Sequence, residues 1–230
     1  MFSLKRFIIF TTILVISASA VFAQMTVEQS YLRSQIELMI IRESARSSTR
    51  EQKQLALDYI HEVLARDGTN TNDEIRQTLD YLAREGRGSV IRENNRIINN
   101  FPDIRRQAAR YLGQLKTEEA RKTLLDILQN DNEPLVLQEA IKSLGDIGRN
   151  DNEETVNHIT WVLQRFDMLN PNDLIAISAI DAFEKIAERN NGITSPEAPR
   201  ILIRIMEGRY VTPVKERARQ LLTKLRNYGG

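Results

Sequence analysis

The sequence predicts an all-α protein, built as a solenoid of stacked antiparallel helix pairs. Three observations carry this. Past residue 25, apolar residues recur with the 3.6-residue period of an amphipathic helix. No segment sustains the apolar-polar alternation of a half-buried strand. One proline-led helical pattern occurs four times, at offsets of 32, 39 and 39 residues.

In chain order, residues 24–47 form an N-terminal capping segment, in which 26–43 read as a helix with Leu32, Ile36, Met39 and Ile40 placed to cover the end of the stack. Residues 48–100 hold a divergent helix pair, Arg50 to Leu64 and Asp73 to Leu82, joined by the turn-rich Asp67-Gly68-Thr69-Asn70-Thr71-Asn72. Residues 101–230 carry the repeats. The first copy runs from Pro102 to Leu115 and the second from Pro134 to Ile147, so that Ala108 maps to Ala140, Leu112 to Leu144 and Gly113 to Gly145. The third, Pro171 to Ile186, puts Phe183 at the Leu144 position, and the fourth, Pro213 to Leu225, puts Ala218 and Leu222 at the Ala108 and Leu112 positions. A proline in the first turn needs no amide hydrogen and presets the helix. Apolar residues at i, i+4 and i+8 make one buried stripe.

Between the copies lie second amphipathic helices: Glu118 to Leu128, Glu153 to Phe166 and Pro196 to Met206. Thr117 and Ser195 stand where a side-chain oxygen caps such a helix, with acidic residues following in the first turn. Pairs of this kind bury both faces only by stacking side by side.

The run Asp103-Ile104-Arg105-Arg106-Gln107-Ala108-Ala109-Arg110-Tyr111-Leu112-Gly113-Gln114-Leu115, followed by Glu119-Ala120-Arg121-Lys122-Thr123-Leu124-Leu125-Asp126-Ile127-Leu128, resembles a HEAT or HEAT-like repeat of the PBS-lyase type. The resemblance is carried by residues 101–150 and continues through 151–226, whereas 48–100 lack the Leu-Gly ending. It implies a right-handed, armadillo-type superhelix whose second helices line the concave surface. HEAT-like repeats also occur in proteins resembling bilin lyases and in helical DNA glycosylases, so an enzyme on this fold is one functional alternative.

Residues 1–23 follow the order of a secretory signal. Lys5 and Arg6 precede the apolar run Phe7 to Ile16, and small residues lead to Val21-Phe22-Ala23, with cleavage expected after Ala23. The alternative is a retained anchor, for which the apolar run is short of the roughly 20 residues that span a bilayer. The expected location is the periplasm, with no membrane span after cleavage. The chain has no cysteine, which excludes thiol chemistry, disulfides and Cys-based zinc sites.

The other chemical signals are sparse. His61 and His158 are far apart in the array, and Glu154-His158 reads as a surface ion pair before it reads as half of a metal site. Asn130-Asp131-Asn132-Glu133 and Asn150-Asp151-Asn152-Glu153 carry oxygen ligands but read first as inter-helix turns. No catalytic residue, metal, cofactor or small-molecule substrate is expected. Trp161 sits among stripe residues Ile159, Val162 and Leu163, at the edge of the core or as an exposed interface anchor.

Charge is the one signal above background. The whole chain has 32 basic and 31 acidic residues, a balance that excludes a nonspecific nucleic-acid coat. Residues 84–110 are +4, 111–189 are −7 and 200–230 are +6. The repeat resemblance implies that Arg200 and Arg204, with Arg209 nearby, face a binding groove; the other reading is a solvated end cap. The leading expectation is an exported, non-catalytic scaffold that binds an envelope protein through this end and Trp161. The alternatives are a structural part of a periplasmic envelope or motility assembly and a bilin-lyase-like enzyme.

Overall fold

Helices start where the sequence places a cap or a proline. Thr117 accepts a hydrogen bond from the Ala120 amide at 3.2 Å, and Pro102 and Pro134 each occupy a first helical position. A computed structural model describes residues 27–68, 73–87 and 91–228. Among them are ten α-helices: α1 (Val27–Arg46), α2 (Arg50–Asp67), α3 (Asp73–Ala83), α4 (Pro102–Leu115), α5 (Glu118–Asn130), α6 (Pro134–Ile147), α7 (Glu154–Leu169), α8 (Asp173–Asn190), α9 (Glu197–Glu207) and α10 (Thr212–Arg226). The expected signal, residues 1–23, lies outside the described residues.

The chain divides into two compact units, residues 1–39 and 40–230. In the first, the described stretch is the helical turns of α1 up to Met39, on which Leu32, Ile36 and Met39 are exposed.

In the second unit the helices fall into two rows. Helices α2, α4, α6, α8 and α10 each pack on the next, and α3, α5, α7 and α9 do the same. Cross-row contacts join α3 to α4, α5 to both α4 and α6, α7 to α8, and α9 to α10. This is the α-solenoid that the repeats predict, and the divergent segment is part of it. Helix α2 meets α4 through Arg50–Asp103 at 2.5 Å, through paired amides of Gln54 and Gln107, and through His61 stacked on Tyr111.

The Leu-Gly ending has a packing reason. A Cβ at Gly113 would stand 2.6 Å from the Ser143 Cβ, and one at Gly145 would stand 2.8 Å from the Ala182 Cα. The two glycines therefore set the close approach of α4 to α6 and of α6 to α8. Ala108, Ala140 and Ala218 are fully buried, as are Leu112, Leu144 and Phe183. At the next repeat the glycine position is Glu184. There α8 and α10 are joined by ion pairs: Arg217 with Asp181 and Glu184, and Lys224 with Glu184 and Glu188.

Three details differ from the sequence reading. Pro171 precedes its helix, because the Asn172 side chain accepts from the Leu174 and Ile175 amides and so starts α8 at Asp173. In α10 Leu221 is buried beside Val214 and Ala218, while Leu222 is half-buried. A small antiparallel hairpin, β1 (Arg92–Glu93) and β2 (Arg96–Ile97), turns through Asn94 and Asn95, both at positive φ, 47° and 64°. Two-residue strands are too short to show alternation, and the Asn-Asn pair, which tolerates left-handed backbone, was the available signal.

Candidate functional site

Described residues of the segment between α3 and α4 line a concavity of the second unit. Gly86, at φ 71°, lets the chain turn against Asn99, whose carbonyl oxygen would lie 2.2 Å from a Cβ there. The Asn99 side chain accepts from the Ile91 amide at 2.9 Å, and Ile98 donates its amide to the Ile91 carbonyl at 3.0 Å. The hairpin is thereby held as one wall of a cleft of about 770 Å³, closed on its other sides by the ends of α1, α3 and α5. Ile91 and Ile98 line that cleft, as does the half-exposed Tyr81 ring.

Buried charge fixes the cleft. Lys53 is 1% exposed, and its ammonium donates to the Ala45 carbonyl at 2.9 Å and to Glu85 at 3.1 Å, over the Tyr81 ring. Arg105, also buried, donates to Asp131 at 2.7 and 3.3 Å, to Asn100 at 2.7 Å and to the Glu85 carbonyl at 3.2 Å. These bonds tie the loop at Glu85 to α4 and to the α5–α6 turn. Burial, with Glu85 adding to it, raises the Tyr81 phenol above its ordinary value.

The free rim of the cleft is cationic. Arg84 lies 3.2 Å from Asp80 and 3.6 Å from Asp126, and Arg87 donates to the same Asp126 carboxylate at 2.8 Å. The Arg87 Nε is buried and makes no hydrogen bond, with the Asp131 carboxylate 4.0 Å away. Arg46, at the end of α1, is exposed on this rim.

Arg46, Lys53, Tyr81, Arg84 and Glu85 were not singled out from the sequence, whereas Asp131 was read as part of an inter-helix turn. They lie far apart along the chain, and the one signal was the +4 excess of residues 84–110, which contains Arg84 and Arg87.

The residues that were singled out sit elsewhere. Trp161 on α7 is 44% exposed, with the Arg165 guanidinium 4.9 Å from its ring centre; it lines a shallow depression with Gln129, Asn157 and His158. Arg200 pairs with Glu197 at 2.6 Å and Arg204 with Asp167 at 2.5 Å, while Arg209 is exposed. The acidic middle and the basic end of the sequence therefore partly neutralise each other in space, through Asp167–Arg204 and the α8–α10 pairs.

The polar turns are used internally. Asp131 accepts from Arg105 and from the Asn132 and Glu133 amides, and Asn150 caps the chain at Val156 while bonding to Glu153. Burial raises the Glu153 carboxyl, but bonds from Thr194 and Asn150 outweigh it and hold the group below its usual range. The expected Glu154–His158 ion pair is absent. His158 meets the Glu154 main-chain oxygen at 2.8 Å and Gln129 at 2.6 Å, and the Glu154 carboxylate goes to Arg121. Among the described residues no group of three or more His, Cys, Asp or Glu is placed to hold a metal, and no helix is long and apolar enough to cross a membrane.

Residues 96–167 match the family described as HEAT repeats. No curated protein matches the chain. Among solved structures it is similar to a chain of the complex of CpcE and CpcF of phycocyanin lyase from Nostoc sp. PCC7120, with a TM-score of 0.56 and 17% identity, covering 84% of this chain and 67% of that one. This likeness corrects the leading expectation of an exported, non-catalytic scaffold. The architecture shared over most of the chain is that of a chain in a phycocyanin lyase complex, which bears on the lyase-like alternative and not on export or a scaffold role. The repeat rows and the Leu-Gly packing give this chain a HEAT-like solenoid fold, and its residues 96–167 match HEAT repeats.

Proposed function

We propose that the chain is a HEAT-like enzyme subunit of bilin-lyase type that works against a second protein chain. The observation that carries this is the fold likeness, over 84% of the chain, to a protein found in a two-protein phycocyanin lyase complex. The cleft supports it. Its volume is that of a ligand site, and it combines an apolar wall with acid-base groups in Tyr81, Asp80 and Glu85.

The protein partner is proposed to meet the row α3, α5, α7, α9, where Trp161 is exposed beside Arg165 and where Arg200, Arg204 and Arg209 follow. An aromatic anchor flanked by guanidinium groups suits a protein surface.

The test is replacement. This chain is substituted for CpcE, and then for CpcF, in a mixture of apo-phycocyanin and free bilin, and covalent bilin-protein adduct is read by zinc-induced fluorescence on a denaturing gel. Adduct above the level of the remaining subunit alone, lowered by Trp161→Ala, is the expected result. Background adduct in both pairings overturns the proposal.

A further inference from the structure

We infer that the cleft between α3, the hairpin and α5 binds a small apolar molecule carrying one carboxylate. This goes beyond the lyase-type reading: it names a ligand class for the cleft, and it is tested apart from the two-chain complex.

The charge inventory points to an anion. Four cations line the cleft, Arg46, Lys53, Arg84 and Arg87, against three carboxylates, Asp80, Glu85 and Asp126. Lys53 is satisfied by Glu85 and Arg84 by Asp80, while Arg87 holds Asp126. Arg46 pairs with no carboxylate among the described residues, which leaves one positive charge uncompensated. A carboxylate answers the Arg46 guanidinium with a charge-assisted hydrogen bond.

A single excess positive charge suits a monoanion better than a phosphate dianion. The body of the ligand is set by the other wall. In the hairpin, Ile91 and Ile98 stand opposite one another and line the cleft, and the Tyr81 ring adds a flat apolar surface. Isoleucines exposed on so short a hairpin have no packing role of their own, since they face a cavity of about 770 Å³. That volume lies within the range of ligand sites, roughly 300–1,000 Å³.

The experiment uses the full chain and two fluorescent probes of one shape, 4-(pyren-1-yl)butyrate and the matching uncharged alcohol. Saturable one-to-one binding is expected, with the acid about tenfold tighter than the alcohol, the size of one charge-assisted bond. Arg46→Ala, an exposed change that keeps the fold, removes the acid's advantage and leaves the alcohol unaffected. Ile98→Asn weakens both probes. Equal affinity for acid and alcohol, no saturable binding, or a wild-type acid affinity in Arg46→Ala overturns the inference. Loss of probe binding beside a positive adduct assay removes the cleft and spares the lyase reading; probe binding without adduct does the reverse.

Discussion

Gly113→Ala tests whether the glycines set the spacing of the stack. In an isolated helix this change stabilises, by about 1 kcal/mol, because alanine loses less backbone entropy. Here the new methyl would lie 2.6 Å from the Ser143 Cβ, 2.7 Å from its Oγ and 3.0 Å from its Cα. Carbon atoms in contact sit about 3.5–4.0 Å apart, so α4 and α6 must separate by roughly 1 Å. The atoms met are at the base of a helical side chain, and rotamer change cannot remove them. The helices that part also carry the fully buried Ala108, Leu112, Ala140 and Leu144. Overpacking of such a core costs about 1–3 kcal/mol, which exceeds the propensity gain. The net expectation is a loss of about 1–2 kcal/mol, seen as a fall of roughly 0.5–1 M in the urea midpoint. Ser143→Gly in the same chain removes two of the three close atoms, so the double variant should lose about 1 kcal/mol less than the sum of the singles. A Gly113→Ala protein as stable as the parent, or more so, refutes the close-packing argument.

Asp131→Ala leaves the Arg105 guanidinium buried without its carboxylate and should cost about 3–5 kcal/mol in urea unfolding, with Arg105→Leu in the same chain restoring part of it, since Leu137 holds the corresponding place in the next repeat. Thr117→Ala removes the cap on α5 and should cost about 1 kcal/mol by the same measurement. Burial raises the Glu184 carboxyl, but bonds from Lys224 and Arg217 outweigh it and hold the folded-state value below the unfolded one. Its contribution is therefore complete above the unfolded value of about 4.3 and disappears as pH falls through the folded one. Glu184→Gln should be less stable than the parent at pH 7 and lose less on acidification, a difference that thermal melts between pH 7 and pH 3 would show or deny.

The array was legible because its rules are local. A proline or a hydroxyl marks each start, the 3.6-residue stripe marks the buried face, and Ala108 and Ala140 recur at one offset, so helices α4 to α10 follow from spacing alone. The start of α8 was not, because Asn172 caps the helix one position after the proline that seemed to begin it. The cleft was hidden for a different reason. Arg46, Tyr81, Arg87 and Asn130 belong to four separate elements, and only the stacking of α3 against α5 brings them together. Charge segregation along the sequence also misled: a basic end beside an acidic middle suggested an open docking surface, whereas folding sets Arg204 on Asp167 and Arg217 on Asp181.

The cleft lies where the array breaks its own rules, and the break explains its character. At the position that Leu137 fills in the following repeat, α4 carries Arg105, a charge in the core. The inter-helix turn before α4 is replaced by a longer segment with its own hairpin. Neither change improves packing: a buried arginine is stable only with its acceptors in place, and here they come from Asp131, Asn100 and the carbonyl of Glu85. The network holds the Glu85–Arg87 loop away from the regular path of a helix pair, and the space so opened is the cleft. Regular repeats are stabilised by small residues at close approach; this junction is stabilised by polar bonds around a cavity. Departures from local rules that require such compensation are expected at functional sites.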